Sequence, residues 1–136
     1  MRSKFQELLL DLSEKLELDL DLHVDKNRAC SILFEDVEVQ LELDGSSENL
    51  IVFTSIAEIP AGKYREKVLL DALKANNEFP YIAIFAYFEI DASLSMHNFL
   101  DFATLNADIL SSYLATFVEL AQKYKKAVER GQTSIL

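Results

Sequence analysis

From Val37 to Asp44 the chain alternates without a fault. Val37, Val39, Leu41 and Leu43 are apolar, and Glu38, Gln40, Glu42 and Asp44 are polar or charged. A period of two over eight residues fits a strand with one dry and one wet face, and no helix. Such a strand needs neighbours at its edges and a layer over its dry face, so the chain must build a sheet with something packed on it. The flanking residues provide for this. Cys30, Ile32 and Phe34 alternate with Ala29, Ser31 and Leu33, Asp44-Gly45 opens a polar hairpin connection, and Leu50 to Ile59 is rich in β-branched and aromatic residues,. Pro60-Ala61-Gly62 ends this three-stranded meander,.

The covering layer comes from segments with helical period. Ser3 and Gln6 have capping-box spacing, and Phe5, Leu8, Leu9, Leu12 and Leu16 then repeat on one face with Glu7, Asp11, Glu14 and Lys15 on the other,. From Leu16 to Leu22 leucines alternate with acids, which fits a short strand or an extended connection, and Asp25 to Arg28 reads as a turn. Lys63 to Asn76 is helical, with Tyr64, Val68, Ala72 and Ala75 on one side, and Asn76, Asn77 and Pro80 stop it,. Tyr81 to Ile90 is apolar on both faces except at Glu89, so the expectation is a strand covered on both sides. Asp91-Ala92-Ser93 turns into a fifth strand, Leu94 to Leu100. Ile109, Leu110, Tyr113, Leu114, Phe117, Val118, Ala121, Tyr124 and Val128 form the last stripe, ended by Gly131,. The reading is one α+β domain over residues 1–131, ordered α-β-β-β-α-β-β-α, with a frayed tail over 132–136,.

Charge narrows the function classes. With 13 basic and 23 acidic side chains the net charge is −10 over 136 residues, which argues against a nucleic-acid binder and favours a basic partner,. The single Cys30 excludes an internal disulfide framework and fits a reducing compartment,. No signal peptide or membrane span is visible, since acids interrupt the first leucines and the longest apolar run is Tyr81 to Phe88,.

Chemistry is sparse. Gly45, Gly62 and Gly131 are isolated, so no phosphate cradle can be drawn, and His23 and His97 have no ligand spacing to each other or to Cys30,. Cys30 lies in an alternating strand, where a buried thiol is inert,. The carboxylates alternate with leucines and valines as a solvated face does, without the calcium-loop pattern,. The expectation is a non-enzyme with no metal and no cofactor. Apolar side chains, by contrast, are in surplus, and surplus apolar surface on a charged chain points to a partner.

The stretch Leu69-Leu70-Asp71-Ala72-Leu73-Lys74-Ala75-Asn76, two strands, and then Leu110-x-x-x-Leu114-x-x-Phe117-Val118-x-x-Ala121-x-x-Tyr124 resembles the class I type III secretion chaperones, the Tir chaperone family. The resemblance runs from Phe5 to Val128, with Ala75-Asn76 at the family's helix-two ending and Tyr124 at its last-helix aromatic position. The family's glycine-rich turn before strand four is replaced here by Asn77-Glu78-Phe79-Pro80.

The resemblance implies a twisted antiparallel sheet with flanking helices, and a dimeric chaperone of the bacterial cytoplasm that works without nucleotide. Such a protein holds an N-terminal segment of a secreted effector extended and presents it to the secretion apparatus. The residues offered for effector binding are Phe5, Leu9, Leu12, Ile32, Phe34, Val37, Val39 and Leu41. Those offered for a homodimer, or a heterodimer with a related chaperone, are Tyr64, Val68, Tyr81, Ile84 and Phe88. Two other readings stand beside it. One is a cytosolic protein-binding adaptor or an acidic inhibitor on a similar α+β scaffold, and an inhibitor that mimics nucleic acid would need its carboxylates on one continuous surface. The other is a small enzyme, which would need a cleft with perturbed titrating groups.

Overall fold

Ser3 and Gln6 close the capping box that their spacing predicts. The Ser3 hydroxyl accepts the Gln6 N–H at 3.1 Å, and the Gln6 carboxamide accepts the Ser3 N–H at 3.0 Å. In this computed structural model, which describes residues 3–17, 29–79 and 82–135, the helix so begun is α1, Lys4–Leu16. Phe5, Leu8, Leu9 and Leu12 are buried, and the helix ends where Glu17 turns left-handed,. The alternating Leu18, Leu20 and Leu22, and the turn expected over 25–28, lie outside the described residues. Replacing Ser3 by Ala removes one half of the box and is expected to cost about 1 kcal/mol. Urea denaturation with an unchanged slope is the check.

Among the described residues the sheet has five strands: β1 (Ala29–Phe34), β2 (Val37–Leu43), β3 (Asn49–Glu58), β4 (Ile84–Phe88) and β5 (Ser93–Asp101). They lie in the order β1-β2-β3-β5-β4, with every neighbouring pair antiparallel. The alternation in β2 becomes a strict alternation of buried and exposed side chains. Among the described residues, β1 and β4 are the two edges.

Asp44 organises the hairpin after β2. Its carboxylate accepts hydrogen bonds from the Asn49 carboxamide at 3.0 Å, the Ser46 hydroxyl at 2.9 Å and the Glu48 N–H at 3.1 Å. The Asn49 side chain foremost lowers the carboxyl from an ordinary 3.8 to about 2. The folded value is the lower one, so this contribution is complete above the unfolded value and is lost as pH falls through the folded one. Asp44→Ala is therefore expected to lower the melting temperature at neutral pH and by less near pH 2, as acid scans of both proteins would record.

Helix α2 (Lys63–Ala75) crosses between β3 and β4, and helix α3 (Ala107–Glu129) closes the chain after a short 3-10 turn at Phe102–Thr104. Buried residues of all three helices join the inward side chains of the strands in one core, among them Leu12, Val39, Leu50, Val68, Phe85, Met96, Phe117 and Tyr124. Tyr124 packs on Phe85 with ring centroids 4.5 Å apart. The opposite face of the sheet carries Glu38, Gln40 and Glu42 at one end and Ile51, Phe53, Ile84, Phe88, His97 and Phe99 at the other,. The cost of burying a charge there holds His97 below the ordinary imidazole value.

One expectation needs correction. β4 is five residues long, and only Phe85 and the preceding Ala83 are buried, while Ile84 is exposed and Ala86, Tyr87 and Phe88 are half-buried. The segment is covered on one side rather than two, because the core's helices meet the sheet on a single face. The C-terminal tail makes hydrogen bonds through residue 134. The Tyr64 hydroxyl donates to the Gln132 carbonyl at 2.6 Å, the Thr133 hydroxyl donates to Asp71 at 2.5 Å, and Tyr124 meets Ser134 at 3.4 Å. The Thr133 bond foremost, with Lys67 next, lowers the Asp71 carboxyl.

Candidate partner-binding site

β1 ends in three consecutive apolar residues, Ile32-Leu33-Phe34. Neighbours on a strand point to opposite faces, so this run cannot all be core. Ile32 is buried, Leu33 is 63 % exposed on the outer face, and Phe34 is half-buried where the helix layer runs out. The last residue of α1, Leu16, and Leu114, Ala115 and Val118 of α3 come up beside Phe34. Together they line two adjoining depressions of about 420 and 250 Å³ that share Leu16, Phe34, Val118 and Gln122. Glu35 and Glu119 stand at the rim, giving an apolar floor with acidic margins.

The walls of this groove are fixed from both sides. Lys15 pairs with Asp108, joining the end of α1 to the start of α3. Lys125 donates to the Asp36 main-chain carbonyl at 2.7 Å and lies 3.6 Å from the Asp36 carboxylate, pinning the β1–β2 turn to α3. The groove therefore adjoins an edge strand whose position is set by the rest of the fold. Such an edge offers main-chain hydrogen bonds to an added strand, and the floor offers pockets for alternate side chains. Among the described residues, no three His, Cys, Asp or Glu side chains converge as a metal site would require, and Cys30 is buried.

Of the eight residues expected to bind a partner, the structure places Phe5, Leu9, Leu12, Ile32, Val37, Val39 and Leu41 in the core, each no more than 3 % exposed. None of these seven lines the groove. Phe34 alone reaches it. Leu16, Leu33, Leu114, Ala115 and Val118 line the same depressions and are not among those eight. Leu33 carried the visible sign, an apolar residue out of phase with its own strand.

A second apolar surface borders β4. On α2, Leu70 and Leu73 are 50 % and 66 % exposed, and Ile84 on β4 is 40 % exposed. Of the residues expected at a dimer contact, Ile84 and Phe88 reach this outer surface. Val68 is fully buried in the chain's own core, and Tyr64 is half-buried with its hydroxyl on the Val128 and Gln132 carbonyls. Tyr81 lies outside the described residues.

The Tir chaperone protein (CesT) family matches residues 7–125. No curated protein matches the chain in sequence. Among solved structures, a chain of the ExsC–ExsE complex superposes with a TM-score of 0.72 at 20 % identity, over 93 % of this chain and 94 % of that one. A chain of the HopA1–SchA chaperone–effector complex gives 0.71 at 18 % identity, over 91 % and 94 %. A third, from the Yersinia pestis type III secretion chaperone SycH with a fragment of YscM2, gives 0.66 at 17 % identity, over 86 % and 96 %.

Proposed function

Because the chain belongs to the Tir chaperone (CesT) family, we propose that it is a type III secretion chaperone whose β1 edge and adjoining groove hold an extended segment of a secreted effector. The observation that carries the site is the coincidence, at one place, of a sheet edge and an apolar depression lined by Leu16, Phe34 and Val118. The effector's N-terminal segment runs along β1 as an added strand, and its apolar side chains enter the groove. The acids at the rim, and a net charge of −10, favour a segment carrying Lys or Arg and speed its encounter,. The bound segment stays non-globular, which suits delivery to a secretion apparatus from the bacterial cytoplasm. The cycle uses no nucleotide, metal or catalytic residue.

Assembly follows from the second surface. The chain forms a homodimer through Leu70 and Leu73 of α2 and Ile84 and Phe88 of β4, side chains that its own fold leaves open or half-open. A self-complementary apolar patch is what a two-fold contact requires.

The test of the effector site is Leu33→Asp, which places a charge on an exposed position beside the groove. Expected is a melting temperature within about 2 °C of the parent, as for surface changes generally. The amount of effector co-purifying from the host cytosol should fall at least tenfold, a loss of about 1.4 kcal/mol. Full retention of effector by the folded variant would place the site elsewhere.

A further inference from the structure

We infer that Asn76 closes the β4 edge of the sheet, so that strand addition is directed to β1. The Asn76 carboxamide meets the main chain of Phe85 at both of its polar groups. The Phe85 N–H donates to Asn76 Oδ1 at 2.6 Å, and Asn76 Nδ2 donates to the Phe85 carbonyl at 3.2 Å. A carboxamide presents a donor and an acceptor side by side in one plane, so this pair of bonds is the one an antiparallel neighbour would make. Asn76 thus stands where a sixth strand would begin.

The arrangement is pre-set by the end of α2. The Asn76 backbone is still helical and its N–H bonds the Ala72 carbonyl at 3.1 Å, which fixes the side chain's origin beside β4. Residues of an antiparallel strand turn their main-chain groups alternately to one side and the other. With Phe85 turned outward, Ile84, Ala86 and Phe88 face β5, and Tyr87 is the one other outward position in a five-residue strand. Closing one of the two outward residues leaves no two successive positions for a ladder. Edges left open invite pairing with other chains, and a side chain that occupies the main chain is one way to blunt them. The inference deepens the strand-addition reading of the effector site, but its test involves no effector, so it can fail while that reading stands.

Two variants test it, Asn76→Ala and Asn76→Asp. The alanine opens the edge. The aspartate still accepts the Phe85 N–H but sets a negative charge against the Phe85 carbonyl, which destabilises the fold more than alanine does and still repels an incoming strand. Light scattering over a concentration series should show species larger than the parent's for Asn76→Ala and the parent's size for Asn76→Asp, although the aspartate variant melts lower. Amide exchange at Phe85 should be up to about tenfold faster in dilute Asn76→Ala, the equivalent of one net hydrogen bond. It should slow again, together with Tyr87, as the larger species form. If larger species track falling stability instead, with aspartate the worse, Asn76 is a packing residue and the inference fails. It fails equally if Asn76→Ala keeps the parent's size at every concentration, or if protection in the larger species appears at β1.

Discussion

Leu9→Asp is expected to lose much of its stability, whereas Phe34→Asp is expected to keep its fold and to lose its effector. Both positions look alike from the chain, since each sits in the apolar phase of an amphipathic element. In the structure Leu9 is 2 % exposed among the other core residues, and a carboxylate there has neither water nor a partner,. The loss should exceed about 4 kcal/mol, a large share of the stability of a chain this size. Phe34 is half-buried at the groove, so an aspartate there can turn to water, and the fold should lose only a few degrees of melting temperature,. Thermal denaturation and effector co-purification, run together on both variants, provide the check. Unfolding of both would make Phe34 part of the core, and binding by a folded Phe34→Asp would remove it from the site.

The second large effect concerns assembly. The double change Leu73→Asp, Ile84→Asp is expected to yield a folded monomer. Both side chains are already substantially exposed in one chain, so the changes add no buried charge to the protomer. Leu73 lies one helical turn before Asn76 on the same side of α2, and Asn76 touches the β4 main chain next to Ile84,. The two residues therefore flank one surface. In a two-fold dimer each change occurs twice, and four charges on an apolar contact should weaken it by more than about a thousandfold. Light scattering at micromolar concentration reads the outcome. An unchanged mass would move the dimer contact, and a monomeric parent would remove the dimer altogether.

How far the residues alone announce this structure depends on how local the deciding interactions are. The alternation of Val37 to Leu43 and the Ser3–Gln6 box are settled within a few residues, and both strand and cap form where expected. The stripe from Leu110 to Tyr124 is equally plain, because a helix with one such face has one way to pack,. Tyr81 to Ile90 was misleading because apolar composition on two faces does not say what covers each face. The contacts of the tail are illegible for a different reason. Its partners Tyr64 and Asp71 lie more than sixty residues back, beyond any local pattern. The same holds for Asn76, which reads as a helix stop and acts at Phe85 across a turn. The groove fell between these cases. Its floor mixes core-phase residues with the out-of-phase Leu33, and burial by α1 and α3 alone separates Phe34 from Leu9.

The most direct measurement is backbone amide exchange on the chaperone purified with its bound effector from the native cytosol, compared with the same chaperone stripped of it. Limited proteolysis first trims the effector to the segment the chaperone shields. The account predicts that this segment comes from near the effector's N-terminus, and that it slows exchange along Ala29–Phe34 and at the groove residues of α3, with little change along Ile84–Phe88. Slowing confined to β4 and α2, with β1 exchanging as in the free protein, would contradict it.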